Sequence, residues 1–148
     1  MVDFETDLFR FEPHPDMPGW MRWQMKDGGR FNGVVGDLAV RRDGDRAVVR
    51  MQPQAGHANL VGTVHGGALL TFIDNALFIG PRFLGNVGMA GVTVDLSTQF
   101  MGAADIVRPI DLTLEVMRET GRMLFMRGAL EQEGDMVASF MGIVRKAS

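Results

Sequence analysis

The sequence predicts an α+β domain in which one antiparallel sheet surrounds a single long helix. Three observations predict it: an early hairpin pattern, one long apolar helical segment, and strand patterns over most of the remaining chain. At 148 residues, the chain has the size of one domain. Its composition of 46% hydrophobic and 22% charged residues is typical of a globular protein with a buried core.

Residues 1–30 are expected to form an N-terminal arm that packs on a body made by residues 31–148. Prolines and paired glycines interrupt this segment, so we expect irregular structure with at most a short helix over 4–10. Its large side chains are too apolar for a free tail and predict a cover for the core or, alternatively, a lid over a ligand tunnel. These side chains are Phe4, Leu8, Phe9, Phe11, Trp20 and Trp23.

Two strands are predicted next, over 33–42 and 46–52. Between them lies Asp43-Gly44-Asp45, a good hairpin turn because Asp and Gly accept positive φ angles. Pro53 lacks a backbone donor and ends the second strand. Residues 54–64 are therefore expected to form a loop.

A helix is predicted from Gly67 to about Ile79. It is apolar over most of its circumference, which indicates burial by the surrounding sheet. Pro81 is expected to stop or kink it. The only polar stripe of the helix has i, i+3, i+4 spacing and consists of Thr71, Asp74 and Asn75.

Four further strands follow the helix. Residues 92–100 alternate between apolar and polar side chains with a period of two. After a loop over 102–109, strands are expected over 110–119, 122–132 and 136–146, with tight turns between them.

Composition also excludes several functions. A net charge of −3 with scattered basic residues predicts no nucleic-acid partner. We expect no membrane span, because Asp74 interrupts the most apolar run, and no signal peptide, because the N-terminus is acidic. The absence of cysteine removes disulfides and thiol nucleophiles and fits a cytoplasmic protein. Histidine spacing predicts no metal site, and no cofactor fingerprint is present.

One segment carries most of the functional signal, the polar, glycine-rich stretch Asn59–Gly67 that leads directly into the helix. A helix N-terminus presents unpaired N–H groups that suit an anion or a developing oxyanion, and glycine lets a ligand approach closely. Asp74 follows Gly66 by eight residues in an apolar helix, where a carboxylate is costly unless paired, solvated or used. The simpler alternatives are an ordinary turn and a solvated polar stripe, although that stripe contains no Lys, Arg or Glu.

The three histidines differ in their expected roles. His65 is a candidate general base by residue type, but at the mouth of a helix we favour support of the loop by hydrogen bonding. His14 and His57 are expected to be structural or exposed.

The spacing of Gly66 and Asp74 constrains any shared chemistry. Eight residues of helix span about 12 Å, so one reacting carbonyl cannot contact both within one chain. If both act in one reaction, Asp74 must meet Gly66 of a second copy, as antiparallel helices of a two-fold dimer allow.

These residues resemble the hot-dog-fold acyl-CoA thioesterases, most closely the phenylacetate-pathway (PaaI-like) group. The group's pattern is matched by Asn59-x-x-Gly62-x-x-His65-Gly66-Gly67, by Asp74-Asn75-Ala76 and by the strand beginning at Gly91. The resemblance implies a six-stranded sheet of order 1-2-4-5-6-3 around the helix, with dimers joined through the third strand and pairs of dimers in tetramers. It also implies hydrolysis of an acyl- or aryl-CoA to the free acid and coenzyme A.

The resemblance further implies a role for each site residue. Gly66 N–H would hold the oxyanion, Asn59 would lie near the carbonyl or position water, and Asp74 of the partner would be general base or nucleophile. Other branches of the family have Glu where this chain has Asp74. Because the Asp side chain is shorter, it leaves room for a water molecule and favours the general-base role over the nucleophile. Thr93 would orient that water, or simply be a sheet residue. Gly67 and Asn75 would contact the substrate.

Two alternatives stay open at this point. One is a non-catalytic acyl-CoA-binding or sensing module, although residues 1–30 lack the basic helices of a DNA-binding domain. The other is an enoyl-thioester hydratase or dehydratase, which would need an acid/base pair that the sequence does not show. Aryl, medium-chain and long-chain acyl groups are all compatible with the sequence.

Overall fold

The computed structural model describes residues 8–85 and 90–148, and within them it contains one eight-stranded antiparallel sheet with one α-helix packed against it. The helix, α1, is Gly66–Phe83, and two 3₁₀ helices cover Phe31–Val35 and Ala55–His57. The strands are β1 (Phe9–Pro13), β2 (Met21–Met25), β3 (Leu38–Asp43), β4 (Arg46–Met51), β5 (Gly91–Phe100), β6 (Ile110–Glu119), β7 (Met123–Gln132) and β8 (Asp135–Lys146).

The sheet order is β1-β2-β3-β4-β6-β7-β8-β5. Counted over β3 to β8 alone, this is the 1-2-4-5-6-3 order that the resemblance implied. The α+β class and the strands over 110–119, 122–132 and 136–146 are confirmed to within about one residue. Strand β5 lies at the edge of the sheet, with β8 as its neighbour.

The N-terminal arm is more regular than predicted. β1 and β2 form a hairpin that continues the sheet through Trp23 opposite Leu38, so the sheet has eight strands and not six. The short helix that was allowed over 4–10 does not form at residues 9 and 10, which lie in β1, while residues 4–7 fall outside the described residues. The reason is a period-two pattern in Phe-Arg-Phe and Met-Arg-Trp-Gln-Met that outweighs the nearby prolines, of which Pro13 ends β1 while Pro15 and Pro18 lie between the two strands.

Aromatic side chains of the N-terminal segment pack this hairpin against residues 31–148. The Trp20 ring lies 5.2 Å from the guanidinium of Arg41 and 4.8 Å from that of Arg50. Arg50 also donates two hydrogen bonds to Asp111, at 2.7 and 2.8 Å, and this bonding raises the pKa of Arg50. On the other side, Phe11 contacts Phe83 near the end of α1.

The first predicted strand and the helix end also differ from expectation. Residues 31–35 are a 3₁₀ helix, and Gly36 has a φ of +74°, which interrupts extended backbone and delays β3 to Leu38. Pro81 does not stop α1, which continues to Phe83. Pro81 has no N–H to donate to the Leu77 carbonyl, and the helix ends two residues after it. None of the helices in the described part of the chain is long and apolar enough to cross a membrane.

A close helix–sheet contact sets the height of α1 over the strands. Leu77 lies one turn after Asp74, is fully buried, and packs directly over Gly142 of β8. A Cβ atom at position 142 would lie 2.7 Å from the Leu77 methyl carbon Cδ2. Glycine at 142 therefore lets the helix, and with it Asp74, approach the sheet without displacing the Leu77 methyl groups.

We predict that Gly142→Ala lowers the free energy of unfolding by about 1–3 kcal/mol through overpacking, measured by denaturant titration. Gly121→Ala is the matched control, because a Cβ there meets no atom within 4 Å. Adding Leu77→Ala should make the double variant less destabilised than the two single effects added together. If the changes in the free energy of unfolding of the two single variants simply add in the double variant, the predicted contact between Leu77 and position 142 is wrong.

Candidate active site

Asp74 lies in the middle of α1 and is half-buried at the wall of an open cavity. The cavity has a volume of about 460 Å³ and is lined by Asn32, Asp74, Asn75, Phe78, Gly91, Val92 and Thr93. Thr93 Oγ1 donates a 2.6 Å hydrogen bond to Asp74 Oδ1. Within the described residues, Asp74 Oδ2 has no hydrogen-bond partner, so this oxygen can accept a proton from a bound water.

A β-bulge aims Thr93 at the helix. Thr93 pairs with Val144 while Asp95 pairs with Ile143, so Val94 is an extra residue in β5. Paired residues share a face of the sheet, and Thr93 therefore lies on the same face as Leu96 and Phe100. The uninterrupted alternation predicted for residues 92–100 is wrong at this point, since it would turn Thr93 away from Asp74.

Asn59 organises the loop that precedes the helix. Its side-chain oxygen accepts hydrogen bonds from the N–H groups of Val61 and Thr63, both at 3.0 Å, and its amide nitrogen donates to Thr63 Oγ1 at 2.8 Å. These bonds fold residues 59–63 into a compact turn, in which Gly62 has a φ of +87°. The Asn59 amide is therefore engaged within its own loop.

His65 is the N-cap of α1. Its Nδ1 accepts a 2.8 Å hydrogen bond from the Gly67 N–H, and its carbonyl accepts from the N–H groups of Ala68 and Leu69. In residues 8–85 and 90–148, the Gly66 N–H has no acceptor, although the neighbouring helix-entry N–H groups do. The ring of Phe100 lies beside Gly66, about 3.5 Å from the position that a Cβ would occupy.

The predicted site residues thus form two separate clusters within one chain. Thr93 is bonded to Asp74, while Asn59, His65 and Gly66 lie in the loop and first turn that begin the helix, and Gly66 is about 12 Å along the helix from Asp74. Gly67 lies with the second cluster, where its N–H is already used by His65. Asn75 is next to Asp74 but buried, with its oxygen bonded to Asn32 Nδ2 at 2.6 Å.

Two residues near these clusters have contacts that sequence reasoning did not predict: Asn32 was not singled out, and His57 was expected only to be structural or exposed. Asn32 lines the Asp74 cavity and bonds Asn75, although 43 residues separate them. His57 is buried beneath the loop. Neither has a recognisable local pattern, because the contacts that matter join distant parts of the chain. In the described ranges, no group of three or more His, Cys, Asp or Glu could hold a metal ion.

Each cluster contacts β5, through Thr93 or Phe100, and β5 is an edge strand of the described sheet with large exposed apolar side chains. The exposed fractions of Val92 and Val94 are 53% each, and that of Phe100 is 51%. Leu60 and Val61, at the tip of the loop, are more exposed still. An unpaired strand edge with exposed apolar side chains is typical of an interaction surface.

Comparison with known proteins gives a consistent result. The family model described as "Thioesterase superfamily" matches residues 61–139, more than half of the chain. A putative esterase of Pseudomonas aeruginosa is 31% identical over 111 residues, covering 74% of this chain and 83% of the relative. Human acyl-coenzyme A thioesterase 13 is 28% identical over 106 residues, covering 68% and 72% respectively.

Solved structures agree with the sequence relatives. Zebrafish thioesterase superfamily member 2 is similar with a TM-score of 0.67 and 25% identity, over 82% of this chain and 89% of that one. The PaaI protein of the Escherichia coli phenylacetic acid degradation operon has a TM-score of 0.64 at 19% identity, over 75% and 80%, and shows likeness of fold. The resemblance inferred from the sequence is confirmed: this chain belongs to the hot-dog-fold thioesterase superfamily.

Proposed function

We propose that this protein hydrolyses an acyl- or aryl-CoA thioester to the free acid and coenzyme A. The observation that carries the proposal is the Asp74 carboxylate, which lines a cavity, accepts a hydrogen bond from Thr93 at Oδ1 and has no partner at Oδ2 within the described residues. Relatives named as an acyl-coenzyme A thioesterase and a putative esterase support the reaction class. The proposed chemistry uses protein groups and water, with coenzyme A entering as part of the substrate.

In this proposal, Asp74 is a general base. Its free Oδ2 accepts a proton from water as that water attacks the thioester carbonyl, and the thiolate of coenzyme A leaves. The Thr93 hydroxyl holds the carboxylate in one orientation and helps to fix the water. The helix positions the carboxylate rigidly, because Leu77 and Gly142 fix its height over the sheet.

The Gly66 N–H supplies the complementary group. It lies at the positive end of α1 and has no acceptor within the described part of the chain, so it can donate to the oxyanion of the tetrahedral intermediate. His65 and Asn59 support this donor by capping the helix and folding the loop. His65 is therefore assigned a supporting role and not that of the base.

The active form in this proposal is a homodimer joined through β5. Thr93 marks the Asp74 end of β5 and Phe100 marks the Gly66 end. Antiparallel pairing of β5 with a second copy, about a two-fold axis near Leu96 and Ser97, would bring each Asp74 towards the partner's Gly66. Such a dimer would contain two equivalent sites and would cover the exposed Val94. Assembly of two dimers into a tetramer stays a prediction from the resemblance.

We predict that Asp74→Asn lowers kcat on acyl-CoA substrates by about a hundredfold or more, because the amide cannot accept the proton. The measurement is thiol release from a panel of aryl-, medium- and long-chain acyl-CoAs. Asp95→Asn is the matched control, since Asp95 lies two residues from Thr93 but on the opposite face of β5, and it should retain wild-type turnover.

Equal turnover by Asp74→Asn would contradict the base assignment. Absence of wild-type turnover on the whole panel would favour the non-catalytic binding module. Transfer of ¹⁸O from labelled water into the Asp74 carboxylate during turnover would instead identify a nucleophile that forms a mixed anhydride.

A second prediction isolates the Gly66 N–H. Gly66→Pro removes this donor at the first helical position, where proline is well tolerated, and His65 already has extended backbone with φ −64° and ψ 136°. We expect kcat to fall by about a hundredfold with little change in thermal stability. Gly66→Ala keeps the N–H and is the control, because its Cβ would be in ordinary contact with Phe100. Equal loss in both variants would indicate a steric effect and remove Gly66 from the oxyanion site.

A further inference from the structure

His57 is buried between the two structural elements that flank the candidate site, with 4% of its surface exposed. Its Nδ1 accepts a 3.0 Å hydrogen bond from the Gln54 N–H, and its Nε2 lies 2.6 Å from the Val34 carbonyl oxygen. A carbonyl can only accept, so Nε2 must carry the ring proton and Nδ1 must be bare. The neutral Nε2–H tautomer is the form that satisfies both contacts, since a proton on Nδ1 would face the Gln54 N–H.

The backbone of His57 connects this fixed ring to the helix entrance. The His57 carbonyl accepts a 2.8 Å hydrogen bond from the His65 N–H, and a bridge between Ala58 and Val64 follows directly. His65 caps α1 through the Gly67 N–H. The peptide that carries the Gly66 N–H is therefore held through His65 by the position of His57.

The other contact of the ring leads to the Asp74 cavity. Val34 lies in the Phe31–Val35 3₁₀ helix, and Asn32 of the same helix lines the cavity and bonds Asn75. His57 thus fixes the distance between the loop that presents Gly66 and the wall beside Asp74. The structural alternative is that the ring only fills the core, in which case the two hydrogen bonds would matter for stability alone.

We propose that His57 is a positioning residue for thioester hydrolysis, which acts through His65 to orient the Gly66 N–H. This inference rests on the proposed function. A donor at an oxyanion site stabilises the transition state only when it is aimed closely, so a small shift of the loop lowers kcat more than it alters substrate binding. In this proposal, the hydrogen bonds of His57, and not merely its volume, maintain the orientation of the Gly66 N–H.

The two hydrogen bonds can be removed separately. His57→Gln places an amide donor near the Nε2 position and can keep the bond to Val34, while His57→Asn places an acceptor near the Nδ1 position and can keep the bond to Gln54. His57→Phe fills the space and makes neither bond. We expect kcat to fall by about tenfold to a hundredfold in His57→Phe, and by less in the other two, with KM changed by no more than about twofold.

Val40→Ala is the control for a general loss of stability, because Val40 is fully buried in β3 and belongs to neither cluster. All variants are assayed below their unfolding transitions, and Val40→Ala should keep wild-type kcat although it unfolds more easily. Nitrogen-15 NMR of the wild-type imidazole should show a protonated Nε2 and a bare Nδ1, independently of activity. The inference is overturned if the Nδ1–H tautomer is found, or if His57→Phe has the kcat of Val40→Ala while the wild type is active. A wild type inactive on every acyl-CoA would instead overturn the proposed function, and this inference with it.

Discussion

The rigidity of one helix determines how this protein can work. Gly66 begins α1 and Asp74 lies eight residues later, so the helix fixes them about 12 Å apart whatever the surrounding loops do. Neighbouring side chains hold each group in place. Thr93 donates a hydrogen bond to the Asp74 carboxylate, and His65 caps the helix that begins at Gly66. In the proposed reaction, a single chain therefore carries two half-sites of different chemistry, and combining them requires a second chain.

Strand β5 connects these half-sites to the edge of the sheet. Its bulge at Val94 turns Thr93 towards Asp74, while its far end brings Phe100 beside Gly66. Within the described residues, β5 is an edge strand with exposed valines, so the same element that contacts both clusters also presents a surface for pairing. Site geometry and proposed assembly thus depend on ten consecutive residues.

Sequence reasoning was most successful where the signal is local. The helix with its polar stripe, the strands after it and the Asn59–Gly67 motif all follow from short-range patterns, and the motif led to the family that the comparisons confirm. The N-terminal hairpin was missed because the prolines between its strands outweighed a visible alternation. The bulge in β5 was missed for a different reason: residues 92–100 alternate cleanly, and only pairing with β8 reveals the extra residue.

Contacts between distant segments could not be predicted. Asn32 reaches Asn75 across 43 residues, and His57 reaches Val34 across 23. Nothing in the sequence around Asn32 or His57 distinguishes them from other polar loop residues. Their importance follows from burial and hydrogen bonding, which depend on how the loop and the 3₁₀ helix fold against α1.

The most direct test of a shared site is complementation between two inactive chains. Asp74→Asn and Gly66→Pro chains, each nearly inactive alone, are co-expressed and purified together without separating mixed from unmixed dimers. If the site combines Asp74 of one chain with Gly66 of its partner, each mixed dimer contains one intact site and one doubly defective site. Random pairing makes half of the dimers mixed, so the preparation should recover about one quarter of wild-type activity. Activity no higher than that of either variant alone, in a preparation shown by mass spectrometry to contain mixed dimers, would contradict the account.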